Sequence, residues 1–165
     1  MNIDYATPQV IDNFLPKEEF KSIESLLLGE QFYWFYKEGM TYKDDGLFFM
    51  VHMFYEPEVG SNSEHLNMWN TFMNKVEAKK CRRIKANLTF KTPTIELGEY
   101  HSDYSDIKTA TFYINTNNGY TELESGVRVG SVANRACIFD STLKHRGVGH
   151  TSPDHHRIVV NFNYS

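Results

Sequence analysis

At 165 residues the chain has room for one domain and not for two, so a single core must carry whatever site it has. Its net charge of −4 and pI near 6.0 argue against a broad basic face for nucleic acid, because that affinity comes mostly from neutralised phosphates. Cys81 and Cys137 are too few and too far apart for a disulfide framework or a zinc knuckle, and no stretch approaches the roughly 18 apolar residues of a membrane span. The opening MNIDYATPQVIDNFL lacks a basic segment followed by an apolar core, so the expectation is an unexported, cytoplasmic protein with reduced thiols.

In chain order, PQVIDNF reads as a short strand. PKEEFKSIESLLLG reads as a helix, with Pro16 at its start, acidic residues in the first turn, Gly29 as a stop, and Phe20, Ile23 and Leu27 on one face. QFYWFYKEG and GLFFMVHMFYEP read as aromatic strands around a turn near Asp44, Asp45 and Gly46. Ser61 and Glu64 form a capping-box pattern ahead of a second helix, whose Leu66, Trp69, Met73 and Val76 repeat at helical spacing and pack on a sheet. The basic run KKCRRIK, residues 79 to 85, reads as a solvated helix end running into a strand.

From Arg83 onward the chain becomes strands separated by turns. Ile84, Ala86, Leu88 and Phe90 share one face of RIKANLTFK, opposite Lys85, Asn87 and Thr89. Ala110, Phe112 and Ile114 oppose Thr111, Tyr113 and Asn115; Ile158, Val160, Phe162 and Tyr164 oppose Arg157, Val159, Asn161 and Asn163. The second face is rich in Asn and Thr with one Arg, and poor in the Lys and Glu of open surfaces, which points to a sandwich or squashed barrel enclosing a polar pocket. His101 and Asp103 in GEYHSDYSD, two apart on a strand, point the same way into it. Two imidazoles and one carboxylate on one face of a metal leave the other face open, an arrangement suited to non-haem Fe(II). The second imidazole is assigned to His145, after the strand-like ACIFDST and twelve residues before Arg157. His150 is the alternative, although seven residues are short for the intervening loop; His155 and His156 adjoin the Arg itself.

Together these residues resemble the 2-oxoglutarate and Fe(II)-dependent dioxygenases, in particular the prolyl-4-hydroxylase-like branch, over nearly the whole chain. VIDNFLPKEEFKSI resembles the leader strand and helix, RIKANLTF the first core strand, and YHSDY the metal pair. TFYINTNNGYTELESG resembles the Y-L-N strand and Gly-Gly-Thr turn, and FDSTLKHRGVGHTSPDHHRIVVNFNY the distal-His segment and closing Arg strand. The resemblance implies a mostly β (α+β) fold, a double-stranded β-helix (jelly roll) buttressed by about two helices from the N-terminal half. It implies a single domain over 1–165, with a support region 1–82 and a catalytic core 83–165.

By the same resemblance His101, Asp103 and His145 hold Fe(II), and 2-oxoglutarate chelates that metal with O₂ as the third partner. Arg157 anchors the far carboxylate of the co-substrate through a bidentate guanidinium, and the Tyr113 phenol bonds that same carboxylate. Asn87 and Asn161 match further co-substrate-contacting positions, and Tyr120 stands where a second Gly is usual, reshaping the pocket rim. The implied activity is hydroxylation of a C–H bond in a prolyl, other peptidyl or amino-acid substrate, with 2-oxoglutarate going to succinate and CO₂. The partner is thus a peptide, protein or small molecule, with the aromatic stretch from Phe32 to Tyr55 as lid or groove. Two other readings stay open: demethylation of an alkylated base, supported only by KKCRRIK, and a non-redox cupin-type metal-binding module. Nothing in the sequence specifies an oligomeric state or a bound membrane.

Overall fold

A computed structural model describes residues 7–39 and 46–165; the turn expected at Asp44 and Asp45 lies outside the described residues. In chain order the elements are β1 (Gln9–Ile11), α1 (Lys17–Leu28), β2 (Phe35–Glu38), β3 (Phe48–Glu56), β4 (Ser61–Asn62), α2 (Asn70–Lys75) and β5 (Cys81–Phe90). There follow β6 (Lys108–Tyr113), β7 (Tyr120–Leu123), β8 (Arg128–Gly130), β9 (Arg135–Asp140), β10 (His145–Val148) and β11 (His156–Tyr164). An eight-stranded antiparallel sheet runs β1-β9-β6-β11-β5-β3-β2, with β4 pairing β3, and a three-stranded sheet runs β10-β7-β8. Single bridges from Leu97 to Val148 and from His101 to His145 add the segment before Asp103 to the edge of the small sheet. Two facing antiparallel sheets with helices on one outer side make a mostly β jelly roll, as the sequence led us to expect. Among the described residues no helix is long and apolar enough to cross a membrane.

Alternation decides which side of the large sheet is greasy. Ile84, Ala86, Leu88, Ala110, Phe112, Ile158, Val160 and Phe162 all turn to the helical side, where Phe20, Ile23 and Leu27 of α1 and Phe72 of α2 meet them. The Phe72 ring stacks on Phe162 with centroids 3.8 Å apart, and Trp69 meets Phe162 edge-on at 5.1 Å. Burying each such side chain is worth roughly 1.5–3 kcal/mol. Helix α1 ends at Gly29 through close approach, since a Cβ there would lie 2.9 Å from the Ser25 carbonyl oxygen. A smaller apolar cluster of Tyr113, Val129, Cys137, Phe139 and Val159 closes the sandwich between the sheets.

The second helix departs from expectation. Ser61 belongs to β4, opposite Glu56, well ahead of any helix start; a 3₁₀ turn, Leu66–Trp69, leads into a helix that begins at Asn70. The intervening backbone is tied to β3 instead, with Ser63 N–H donating to the Phe54 carbonyl at 2.9 Å and Ser63 Oγ 2.8 Å from His52 Nε2. Those long-range bonds outweigh a local helix start, and Phe72 carries more of the packing than Met73. Phe90, assigned to the apolar face, is exposed at the end of β5, with its ring against Phe48.

The small sheet is held by one carboxylate. Glu122 on β7, almost wholly covered, accepts from Arg128 Nε at 2.6 Å, Arg146 Nε at 2.8 Å and the Tyr100 hydroxyl at 3.0 Å. Arg128 and then Arg146, with help from Tyr100 and against the effect of burial, pull its carboxyl from near 4.5 to about 2. The unfolded chain therefore takes up this proton first as pH falls. The stabilisation should be complete above about pH 4.5 and fade towards pH 2, and Glu122→Gln should flatten that acid limb in urea unfolding. An identical pH profile in the variant would mean that the network contributes nothing to folding.

Candidate active site

The polar faces of β5, β6 and β11 and the inner residues of the small sheet enclose a cavity of about 390 Å³. Asn87, Thr89, Thr111, Arg157, Val159 and Asn161 line it, as strand parity implied, and so do Arg83, Lys85, Thr121 and Gly147. Arg157 is thus not the only inward arginine.

At one end His101, Asp103 and His145 converge, each offering a ligand atom, and all three atoms lie within 4.8 Å of one another. His101 and Asp103 are not in a regular strand. His101 makes a single bridge to His145, its N–H donating to the His145 carbonyl at 3.0 Å and its carbonyl accepting from the His145 N–H at 2.9 Å. The Asp103 N–H then donates to the Ser141 carbonyl at 3.2 Å. Each imidazole Nδ1 faces a backbone carbonyl, Glu99 at 3.1 Å for His101 and Leu143 at 3.0 Å for His145. A carbonyl can only accept, so each Nδ1 carries the hydrogen and each Nε2 keeps a free lone pair for a metal. Burial draws His145 below its ordinary value, against the pull of Asp103 and the Leu143 carbonyl, and favours the neutral ring that a metal needs.

Asp103 is the most heavily supported member. Its Oδ1 accepts from Arg83 Nη2 at 3.2 Å, and its Oδ2 accepts from Asn163 Nδ2 at 3.0 Å and Thr109 Oγ1 at 3.1 Å. These three partners sit side by side on β5, β11 and β6, since Arg83 pairs with Asn163 and Asn163 with Thr109. Burial alone would raise the carboxyl; Arg83, His145, Asn163 and His101 together hold it below its usual range, so it is ionised. His150 is fully buried elsewhere, its Nε2 3.1 Å from the Asp154 carbonyl, and takes no part in the trio.

Arg157 lies further along the cavity. It is buried, donates from Nε to Ser131 Oγ at 2.7 Å, and leaves Nη2 with no partner among the described residues. Its stem crosses Gly119 so closely that a Cβ there would fall 2.7 Å from Arg157 Cδ. Two more buried polar atoms of the cavity wall are unmatched among the described residues, Asn87 Oδ1 and Thr89 Oγ1, and Thr89 is the register partner of Arg157. Unmatched buried polar atoms are costly, and three sharing one cavity are open to partners from whatever fills it. Tyr113 differs from its assigned place: it lies fully buried behind the wall, 5.7 Å beneath the Arg157 guanidinium, with its hydroxyl 2.8 Å from Thr121 Oγ1 and 3.2 Å from the Val129 carbonyl. Thr121 takes the cavity-facing position, and Tyr120 turns outward against Arg128, away from the rim.

No family model matches the chain, and no curated protein sequence matches it. Solved structures do. A 2OG-Fe(II) oxygenase family oxidoreductase from Burkholderia pseudomallei superposes with a TM-score of 0.71 at 13% identity, over 96% of this chain and 84% of that one. The chain has the fold of the 2-oxoglutarate and Fe(II) oxygenases. A prolyl hydroxylase from Trichoplax adhaerens, in complex with a hypoxia inducible factor peptide fragment, gives 0.67 at 11% identity over 96% and 84%. HygX from Streptomyces hygroscopicus, with nickel, 2-oxoglutarate and hygromycin B bound, gives 0.60 at 12% over 98% and 83%.

Within this oxygenase fold, sequence reasoning missed Arg83, Thr109 and Asn163 as the clamp on Asp103, and Gly119 and Ser131 as the seat of Arg157. Arg83 was within reach, because it has the same parity as Lys85 and Asn87; the loop contacts of Gly119 and Ser131 left no periodic signal. The basic run 79 to 85 is divided by the strand it enters: Arg82 pairs with Glu58 and Arg83 with Asp103, while Lys85 lines the cavity. Asp103→Ala would strand the Arg83, Asn163 and Thr109 donors. In the metal-free protein we expect it to cost about 1–3 kcal/mol in urea unfolding, and an unchanged midpoint would show that the clamp bears no folding load.

Proposed function

We propose that the protein is an Fe(II)- and 2-oxoglutarate-dependent dioxygenase that hydroxylates a C–H bond in a prolyl, other peptidyl or amino-acid substrate. The observation that carries this reading is one cavity holding two complementary binding ends: two imidazoles with one ionised carboxylate, and a buried arginine whose Nη2 lacks a partner among the described residues. The donor set suits a divalent first-row metal with coordination positions left open. A dicarboxylate with a keto group answers both ends, because one end can chelate the metal while the other receives two N–H bonds from a guanidinium.

His101, Asp103 and His145 would hold Fe(II), and Arg157 would hold the far carboxylate of 2-oxoglutarate, with Thr89, Asn87 and Asn161 along the cavity wall between. When bound, the metal supplies the oxidising power for C–H hydroxylation, with O₂ and 2-oxoglutarate consumed and succinate and CO₂ released. The chain's own contribution is placement. Arg83, Asn163 and Thr109 fix the Asp103 carboxylate, the Glu99 and Leu143 carbonyls set both imidazole tautomers, and Gly119 with Ser131 fixes the arm of Arg157. Tyr113 acts through Arg157, as the ring beneath it. The covered floor of Tyr113, Cys137, Phe139 and Val159 keeps bulk water from the far end of the cavity.

The peptide carried by the Trichoplax enzyme supports a peptidyl substrate, and the hygromycin B carried by HygX supports a small one. The β2–β3 stretch forms the edge of the large sheet; of its described residues, Lys37 and Phe49 reach the cavity, and Phe35, Tyr36 and Phe48 are exposed. A base demethylase is less favoured, because strand alternation breaks up the basic run on which that reading depended. Anaerobic titration with Fe(II) and 2-oxoglutarate should give the weak visible charge-transfer band of a keto-acid chelate, absent in His145→Ala. Absence of the band in wild type despite Fe(II) binding would favour a non-redox metal-binding module. Arg157→Met and Gly119→Ala should each raise the 2-oxoglutarate concentration needed for half the band by about tenfold or more, and an unchanged requirement would place the anchor elsewhere.

A further inference from the structure

The cavity carries more positive charge than metal chelation and one dicarboxylate require. Among the described residues four cationic side chains line it, Lys37, Arg83, Lys85 and Arg157, against one carboxylate, Asp103. Arg83 is committed to Asp103, and Arg157 to the co-substrate in the reading above. Lys85 is left over. It projects from the middle of β5, between Arg83 and Asn87, opposite Asn161 in register and half-buried in the wall. Its ammonium has no hydrogen bond or ion pair among the described residues; its described neighbour is the Phe49 ring, 5.7 Å from Nζ to centroid.

Lys37 reaches the same ring from another strand, also at 5.7 Å. Phe49 is itself buried and is the register partner of Lys37, so the two ammonium groups converge on one fixed platform at the cavity wall. Like charges that outnumber their counter-charges in a low-dielectric cleft repel one another. Burial, Arg83 and Lys37 together draw Lys85 down to about 7, while Asp103 and Glu56 only partly oppose them. An oxyanion bound at the Lys85 ammonium would relieve that conflict and favour its protonated form. The co-substrate is not the natural occupant, since its two carboxylates already answer the metal trio and Arg157.

We propose that Lys85, with Lys37 beside it on Phe49, binds an oxyanion of the substrate, so that the C–H bond presented to the trio belongs to an acidic molecule or an acidic side chain. This deepens the oxygenase reading and rests on it for the identity of the occupant. Lys85 is a specificity-determining residue in this scheme, and the carboxylate or phosphate-type group it takes is fixed beside the metal end of the cavity.

Sulfate is the probe, titrated calorimetrically at constant ionic strength into protein loaded with Zn(II) and 2-oxoglutarate, which fills the Arg157 end without turnover. Wild type should bind it, Lys85→Met should raise the dissociation constant about tenfold or more, and Lys85→Arg should recover most of the affinity. Lys37→Met should show a smaller loss. Undetectable sulfate binding in wild type, or equal affinity in Lys85→Met, overturns the proposal. It is overturned equally if Lys85→Met weakens the Fe(II)–2-oxoglutarate band as much as Arg157→Met does, since Lys85 would then serve the co-substrate. The same titration on metal-free protein separates the two readings: sulfate binding that depends on Lys85, with no charge-transfer band in wild type, upholds the anion site and overturns only the oxygenase assignment.

Discussion

Each central strand of the large sheet has to satisfy two environments at once, and the period-two alternation of its side chains is the constraint on which the rest of the structure depends. On β5, Ile84, Ala86 and Leu88 are committed to the helical side, so Arg83, Lys85, Asn87 and Thr89 have no choice but the cavity. The same holds on β11 for Ile158, Val160 and Phe162 against Arg157, Val159, Asn161 and Asn163. A slip of one residue would put three arginine and lysine side chains into the aromatic layer around Trp69 and Phe72, at a cost no local bond could offset. Helix packing on one side therefore sets the register of the chemistry on the other.

Along that register the cavity is graded. Arg83, Asn163 and Thr109 form a row across three strands that grips Asp103, and the Arg157–Thr89 pair forms a second row several residues further along. The separation between the metal-type end and the guanidinium end is thus counted out in strand residues, which rigid pairing holds constant. The trio itself draws on less regular backbone. His101 hangs on one bridge to His145, and the Glu122 network secures the residue before it through Tyr100. Rigid sheet and clamped loop together give preorganisation without a metal being needed to shape the site.

The described polar wall also carries a surplus of cations, and Lys37 and Lys85 belong neither to the clamp on Asp103 nor to the seat of Arg157. Their meeting on Phe49 joins an edge strand to a central strand, so the cavity's charge is tied to the outer margin of the large sheet, where exposed aromatic side chains cluster.

Much of this was legible in the residues alone. Alternation from Arg83 onward specified which side chains face inward, because a strand has only two faces, and helix α1 was readable from Pro16, its acidic first turn and Gly29. His101, Asp103 and His145 could be nominated by type and order, since few side chains can ligate a metal. Other features depended on contacts between segments distant in sequence. Ser61 and Glu64 suggest a helix start locally, but pairing with β3 overrides it. Tyr113 has the parity of a cavity residue, yet Thr121 from the facing sheet covers it. His145 and His150 are equivalent in type; spacing to Arg157 favours His145, and the bridge to His101 is what brings it to the trio. Local sequence determined the period and the chemistry of each strand; the tertiary structure decided which groups meet, because that depends on how two sheets close over one another.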